Sequence, residues 1–71
     1  MENKTLRKFG DRVREERLGR NLSQEQLAAK AGVHRTYIGM IERAEKNITL
    51  ENIQRIAGAL NIKLSEIFRD I

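Results

Sequence analysis

Apolar residues recur three and four positions apart along nearly the whole chain, the spacing that gathers them on one side of a helix. Alternation of the kind a half-buried strand needs is nearly absent, and the chain has no proline and few valines or threonines. The pattern predicts an all-α protein. Thr5 is positioned to cap a first helix whose inward stripe is Leu6, Phe9, Val13 and the stem of Arg17, ending around Gly19 and Asn21. Leu22 then tucks in between helices. Ser23, with Gln26 three residues on, has the spacing of a capping box and opens a second helix over "QEQLAAKA", with Leu27, Ala28 and Ala31 inward. Gly32 follows the last periodic residue, where a left-handed conformation ends a helix, and Val33 drops an apolar anchor into the turn.

A third helix over Arg35 to Arg43 follows at once. At roughly 100° per residue, Ile38 and Ile41 fall on one side and Thr36, Gly39, Met40 and Arg43 on the other. Arg35 and Tyr37 lie on the two flanks of its N-terminal end, and Glu42 falls on the flank toward the isoleucines. The polar stretch "AEKN" leads to Thr49, a further cap, and to a helix with Leu50, Ile53, Ile56, Ala57 and Leu60 inward. Ser65 starts a last short turn of helix carrying Ile67, Phe68 and Ile71.

Two short helices joined by a glycine-containing turn of about three or four residues make a helix-turn-helix, whose second member fits the major groove of B-DNA. Base edges there offer donors and acceptors that arginine and threonine can pair with, and residues near the N-terminus of the groove helix enter deepest. Charge supports an anionic partner. Lysine and arginine total 14 against 10 aspartates and glutamates, a formal +4, and the first twenty residues carry much of the excess. Arg12 and Arg14 are further candidates for phosphate contact, the plainer reading being a solvated face.

A chain of 71 residues suits a single domain over 1–71, near the size at which one core buries only about 60% of the unfolded surface. It holds no cysteine and one histidine, His34, so neither a thiolate metal site nor a disulfide framework is available. No nucleophile–base pair, phosphate-binding glycine loop or metal-ligand cluster is visible, which argues against an enzyme, a cofactor and a small-molecule ligand. No apolar run approaches the roughly 18 residues of a membrane span, and "MENKTLRKFGDR" lacks the apolar stretch of a signal peptide. A cytoplasmic protein is expected.

The segments "LSQEQLAAKAGV", "YIGMIER" and "ITLENIQRIAGALNIKLSEIF" resemble the Cro/C1-type (XRE-like) helix-turn-helix DNA-binding proteins over residues 6 to 68. Within that family, "HRTYIGMIER" followed by "NITLENI" on so short a chain is similar to the controller proteins of restriction–modification systems. The resemblance implies a compact five-helix, λ-repressor-like domain that binds double-stranded DNA. It places base contacts on Arg35, Thr36, Tyr37 and Met40, and backbone contacts on Gln24, Arg43, Lys46 and Asn47, to which His34 at the cap is added. Arg17 and Glu42 occupy positions that pair across the core, a structural role, since an unpaired charge there would be costly. Such proteins dimerise, often through the C-terminal region, so Ile67, Phe68 and Ile71 are expected to be covered by a second copy, and the dimer to bind a palindromic operator. Regulation of its own gene and of a neighbouring endonuclease gene is the implied role, with RNA polymerase as a further partner.

The sequence departs from the family pattern at three positions. His34 stands where serine or threonine usually caps the recognition helix. Gly39, read as exposed in mid-helix, costs about 1 kcal/mol against alanine and offers no side chain to a base. Ala44 replaces the glycine that commonly follows this helix. A phage- or antitoxin-type repressor is the alternative within the same class. A helical module that binds an acidic protein and never touches DNA is the competing reading from another class.

Overall fold

The first four helices each begin at a side chain that replaces a missing backbone partner. The computed structural model describes residues 3–71; Met1 and Glu2 lie outside it. Five helices appear among the described residues, α1 (Lys4–Gly19), α2 (Gln24–Ala31), α3 (Arg35–Glu42), α4 (Leu50–Ala59) and α5 (Leu64–Ile67), and no strand. Asn3, not Thr5, caps α1: its Oδ1 accepts from the Leu6 amide at 3.1 Å, which draws Thr5 into the helix. At α2 the capping box is complete, Ser23 Oγ accepting from the Gln26 amide (3.0 Å) and Gln26 Oε1 from the Ser23 amide (2.8 Å). Thr49 Oγ1 accepts from the Asn52 amide at 3.1 Å and opens α4. Helix α5 starts one residue before Ser65, and its N-terminal amide, that of Lys63, donates to Glu66 Oε1 at 3.3 Å.

The C-terminal ends of α1 to α4 share one device. Asn21, Gly32, Ala44 and Asn61 all adopt positive φ (56°, 72°, 59° and 56°). In each case the next amide folds back five residues: Leu22 to the Arg17 carbonyl, Val33 to Ala28, Glu45 to Met40 and Ile62 to Ala57, at 2.9 to 3.1 Å. Leu22, Val33 and Ile62 then pack against the core, whereas Glu45 is exposed. Helix α3 therefore ends without an apolar anchor, on an alanine whose left-handed conformation costs about 1–2 kcal/mol.

One core gathers the inward stripes: Phe9 and Val13 of α1, Leu27, Ala28 and Ala31 of α2, Ile38 and Ile41 of α3, Ile56 and Ala57 of α4, Leu60 just after it, and Ile67 of α5. Helix α2 packs on α3 and α4, α1 on α3, and α5 bridges α1 and α4. Gly10 makes the α1–α3 crossing possible, because a Cβ there would overlap the carbonyl oxygen of Ile41 and stand 3.1 Å from that of Glu42.

Three further expectations are corrected. Leu50 is 70% exposed, because it is the first residue of α4 and precedes the part of the helix that reaches the body. Ile67 is fully buried in the chain's own core and is no interface residue, since α5 folds back between α1 and α4. Gly39 is buried, not exposed, because the side chains of Gln24 and Arg43 lie over it.

Candidate nucleic-acid interface

Helix α2, the turn Gly32–His34 and α3 form the two-helix unit, and Ile38 and Ile41, both buried, seat α3 on the body. The turn is fixed at both ends. Gly32 supplies the left-handed residue, and His34 caps α3 by accepting from the Thr36 amide at Nδ1 (3.1 Å). An accepting Nδ1 leaves the imidazole Nε2 as the ring's donor, and the residue is exposed.

On the outer side of α3, Arg35 and Thr36 are exposed, and Tyr37 and Met40 are half-buried. Arg35 is 67% exposed yet engaged, donating from Nη1 to Glu25 Oε2 of α2 at 3.0 Å. At this exposure such a pair contributes little to stability, of the order of 0–1 kcal/mol, and exchanges readily for another anion. Tyr37 packs against the core edge, and its hydroxyl accepts from Asn52 Nδ2 of α4 at 3.1 Å. Asn52 was not singled out in the sequence, because nothing local links positions fifteen apart.

Behind this surface lies a buried polar network. Arg17 Nε and Nη2 donate to Glu42 Oε2 and Oε1 at 2.7 and 3.0 Å, and Nη1 donates to the Leu22 carbonyl at 2.8 Å. The hydrogen bond to Glu42 holds the Arg17 guanidinium above its ordinary pKa, with the carboxylate's charge adding to it, against the opposing effect of burial. Gln24 Nε2 donates to the same Glu42 Oε1 at 3.2 Å, so the first residue of α2 is tied to the last of α3. No buried side-chain polar atom among the described residues lacks a partner.

The loop after α3 presents Arg43, Lys46 and Asn47, all exposed. Arg43 Nε donates to Glu45 Oε1 at 3.0 Å, and Arg7 Nη2 reaches from α1 to the Arg43 carbonyl at 3.2 Å. Gln24, Arg35, Thr36, Arg43, Lys46 and Asn47 thus belong to one contiguous unit, α2 through the loop after α3. Arg12 is committed elsewhere: it donates to the carbonyls of Glu66 (2.7 Å) and Arg69 (2.9 Å), clamping the last turn of the chain to α1. Among the described residues no group of three or more histidines, cysteines, aspartates and glutamates is arranged to hold a metal ion. None of their helices is long and apolar enough to cross a membrane.

Known proteins share this arrangement. The helix-turn-helix family model matches residues 13–67, the class that the paired helices and their turn define. Control protein C.BamHI of Bacillus amyloliquefaciens is 45% identical over 60 residues, covering 83% of this chain and 74% of that one. The structure is similar to the restriction–modification controller protein C.AhdI of Aeromonas hydrophila, with a TM-score of 0.90 at 45% identity over 93% of this chain and 100% of the other. It is also similar to the C.Esp1396I controller protein solved as a tetramer with its natural 35 base-pair operator, with a TM-score of 0.89 at 32% identity over 96% and 90%. The chain belongs to the restriction–modification control proteins of the helix-turn-helix family.

Proposed function

We propose that this protein is a sequence-specific transcription regulator that binds a palindromic operator as a homodimer and controls its own gene and that of an associated endonuclease. The observation that carries this reading is the division of α3 into two sides. Ile38 and Ile41 are buried, while Arg35 and Thr36 stand exposed at its N-terminal end, and Gln24, at the start of α2, lies over Gly39. That is the geometry in which a helix can lie in the major groove with its first turn against base edges. The relatives' restriction–modification context and the operator seen with C.Esp1396I support it.

In this reading residues 1–71 act as one DNA-binding domain, in the cytoplasm, as a regulator rather than an enzyme. Arg35 exchanges Glu25 for guanine O6 and N7, Thr36 and Met40 contact neighbouring bases, and Tyr37 adds a contact when its hydroxyl turns from Asn52. Gln24, His34, Arg43, Lys46 and Asn47 hold phosphates and set the register. The test uses duplexes selected from a random pool. Arg35→Ala is expected to cost about 1–3 kcal/mol at one base position and relax the preference there, whereas Lys46→Ala lowers affinity for all duplexes and reduces the log–log salt slope by about 0.9. Unchanged footprints with both Arg35→Ala and Thr36→Ala would sink the assignment.

The homodimer is proposed to form through the end of the chain. Phe68 stacks on Phe9 with ring centroids 5.5 Å apart but keeps part of its surface open, Ile71 is likewise half-buried, and Leu64 is 38% exposed. A two-fold dimer sets two recognition helices about 34 Å apart, one helical turn of DNA. Sedimentation at tens of micromolar is expected to read a dimer, and Leu64→Glu to shift it toward monomer. A wild type that stays monomeric contradicts the proposal.

A further inference from the structure

Gly39 is the one glycine among the described residues whose missing side chain leaves room for other side chains alone. At Gly10 a Cβ would strike backbone, at Gly32 the backbone is left-handed, and at Gly19 and Gly58 the space is open. A Cβ on Gly39 would stand 3.1 Å from Arg43 Nη1, 3.7 Å from Arg43 Nη2 and 3.4 Å from Gln24 Oε1, with no backbone atom beyond its own helix among those neighbours. Those two side chains come from opposite ends of the two-helix unit, and each is held from behind. Gln24 Nε2 is fixed on Glu42 at 3.2 Å, and Arg43 Nε on Glu45 at 3.0 Å. Gln24 therefore turns its donor to Glu42 and its accepting Oε1 over Gly39, whereas a guanidinium fixed at Nε still offers its Nη hydrogens.

We propose that Gly39 is a positioning residue for phosphate binding: its bare Cα is the floor over which the Arg43 guanidinium lies, beside the Gln24 amide, so that Arg43 holds one backbone phosphate. The inference rests on the DNA-binding reading above. The guanidinium is the charged donor, and the N-terminus of α2 adds its partial positive charge nearby. Glycine in mid-helix is unfavourable by itself, and here that cost is matched by a contact a methyl group would displace. The displaced atoms are the ends of flexible side chains, so alanine disturbs the site and spares the fold.

Gly39→Ala separates these effects. Its Tm is expected to rise by about 3–6 °C, as for a helical glycine whose added methyl meets no backbone of another element. Affinity for a selected operator duplex and for a non-operator duplex of equal length is expected to fall by the same factor, roughly threefold to tenfold. The salt slope should drop by about 0.9, one phosphate fewer. In an Arg43→Ala background, Gly39→Ala should cause no further loss. Affinity that is unchanged or raised, a loss confined to the operator, full additivity with Arg43→Ala, or a fall in Tm would each overturn the proposal. A wild type that binds both duplexes equally would instead undo the sequence-reading role, and the shared loss of affinity would still decide what Gly39 does.

Discussion

Gly10→Ala is expected to destabilise the protein by about 2–4 kcal/mol in urea unfolding followed by helical circular dichroism, although alanine is the better helix former by about 1 kcal/mol. The methyl group would overlap the Ile41 carbonyl oxygen and crowd that of Glu42, and backbone cannot rotate away as a side chain can. Relief requires α1 to lift from α3. That movement opens the packing of Phe9 and Val13 against Ile41, and it carries Arg7 away from the Arg43 carbonyl that it caps at 3.2 Å. DNA affinity should fall with stability, since the loop bearing Arg43 and Lys46 loses its support from α1. Gly58→Ala is the control. It lies inside α4 with nothing within 4 Å of a Cβ, and should gain roughly 0.5–1 kcal/mol. A Gly10→Ala protein as stable as the Gly58→Ala protein would mean that α1 and α3 do not approach so closely.

The two glycines of greatest consequence show where the sequence is readable and where it is not. Gly10 falls on the same inward stripe as Leu6, Phe9, Val13 and Arg17, so its position on the buried side was available from spacing alone. Gly39 sits opposite Ile38 and Ile41 on the wheel and reads as exposed. It is buried because Gln24 and Arg43 fold over it, and no local periodicity reports what other elements place on that side. The α2–turn–α3 unit was legible for a physical reason: Ser23 with Gln26, Gly32 and the isoleucine pair each fix one boundary through local chemistry. The chain's end was not. Four residues of helix make a single turn, and nothing in Ile67, Phe68 and Ile71 tells which one the α1–α4 groove will take. Arg12 shows the same limit from the other side, because its partners are backbone carbonyls more than fifty positions away.

Glu42→Gln is expected to cost about 3–5 kcal/mol, because it leaves the Arg17 guanidinium buried and without its counter-charge. A domain of this size carries only about 4–10 kcal/mol in total, so the variant should be largely unfolded at 37 °C in mild denaturant. Arg17's contribution has a fixed sign with pH. Its pKa is raised by Glu42, so the stabilisation is complete below the unfolded-state value and fades only as pH climbs through the folded one, in strongly alkaline solution. Between pH 6 and 9, by this argument, the wild type owes no slope to Arg17. Replacing both partners, as Arg17→Met with Glu42→Leu, removes the desolvation cost together with the attraction and should recover most of the stability, to within about 1–2 kcal/mol of wild type. DNA binding should not recover. Gln24 would have lost the carboxylate that orients its amide at 3.2 Å, and a duplex titration should find the refolded double variant weaker toward every sequence. A double variant that is stable and binds at full strength would show that Gln24 needs no orienting partner; one that stays unfolded would show that the pair's geometry, not its charge balance, holds α1 to α3.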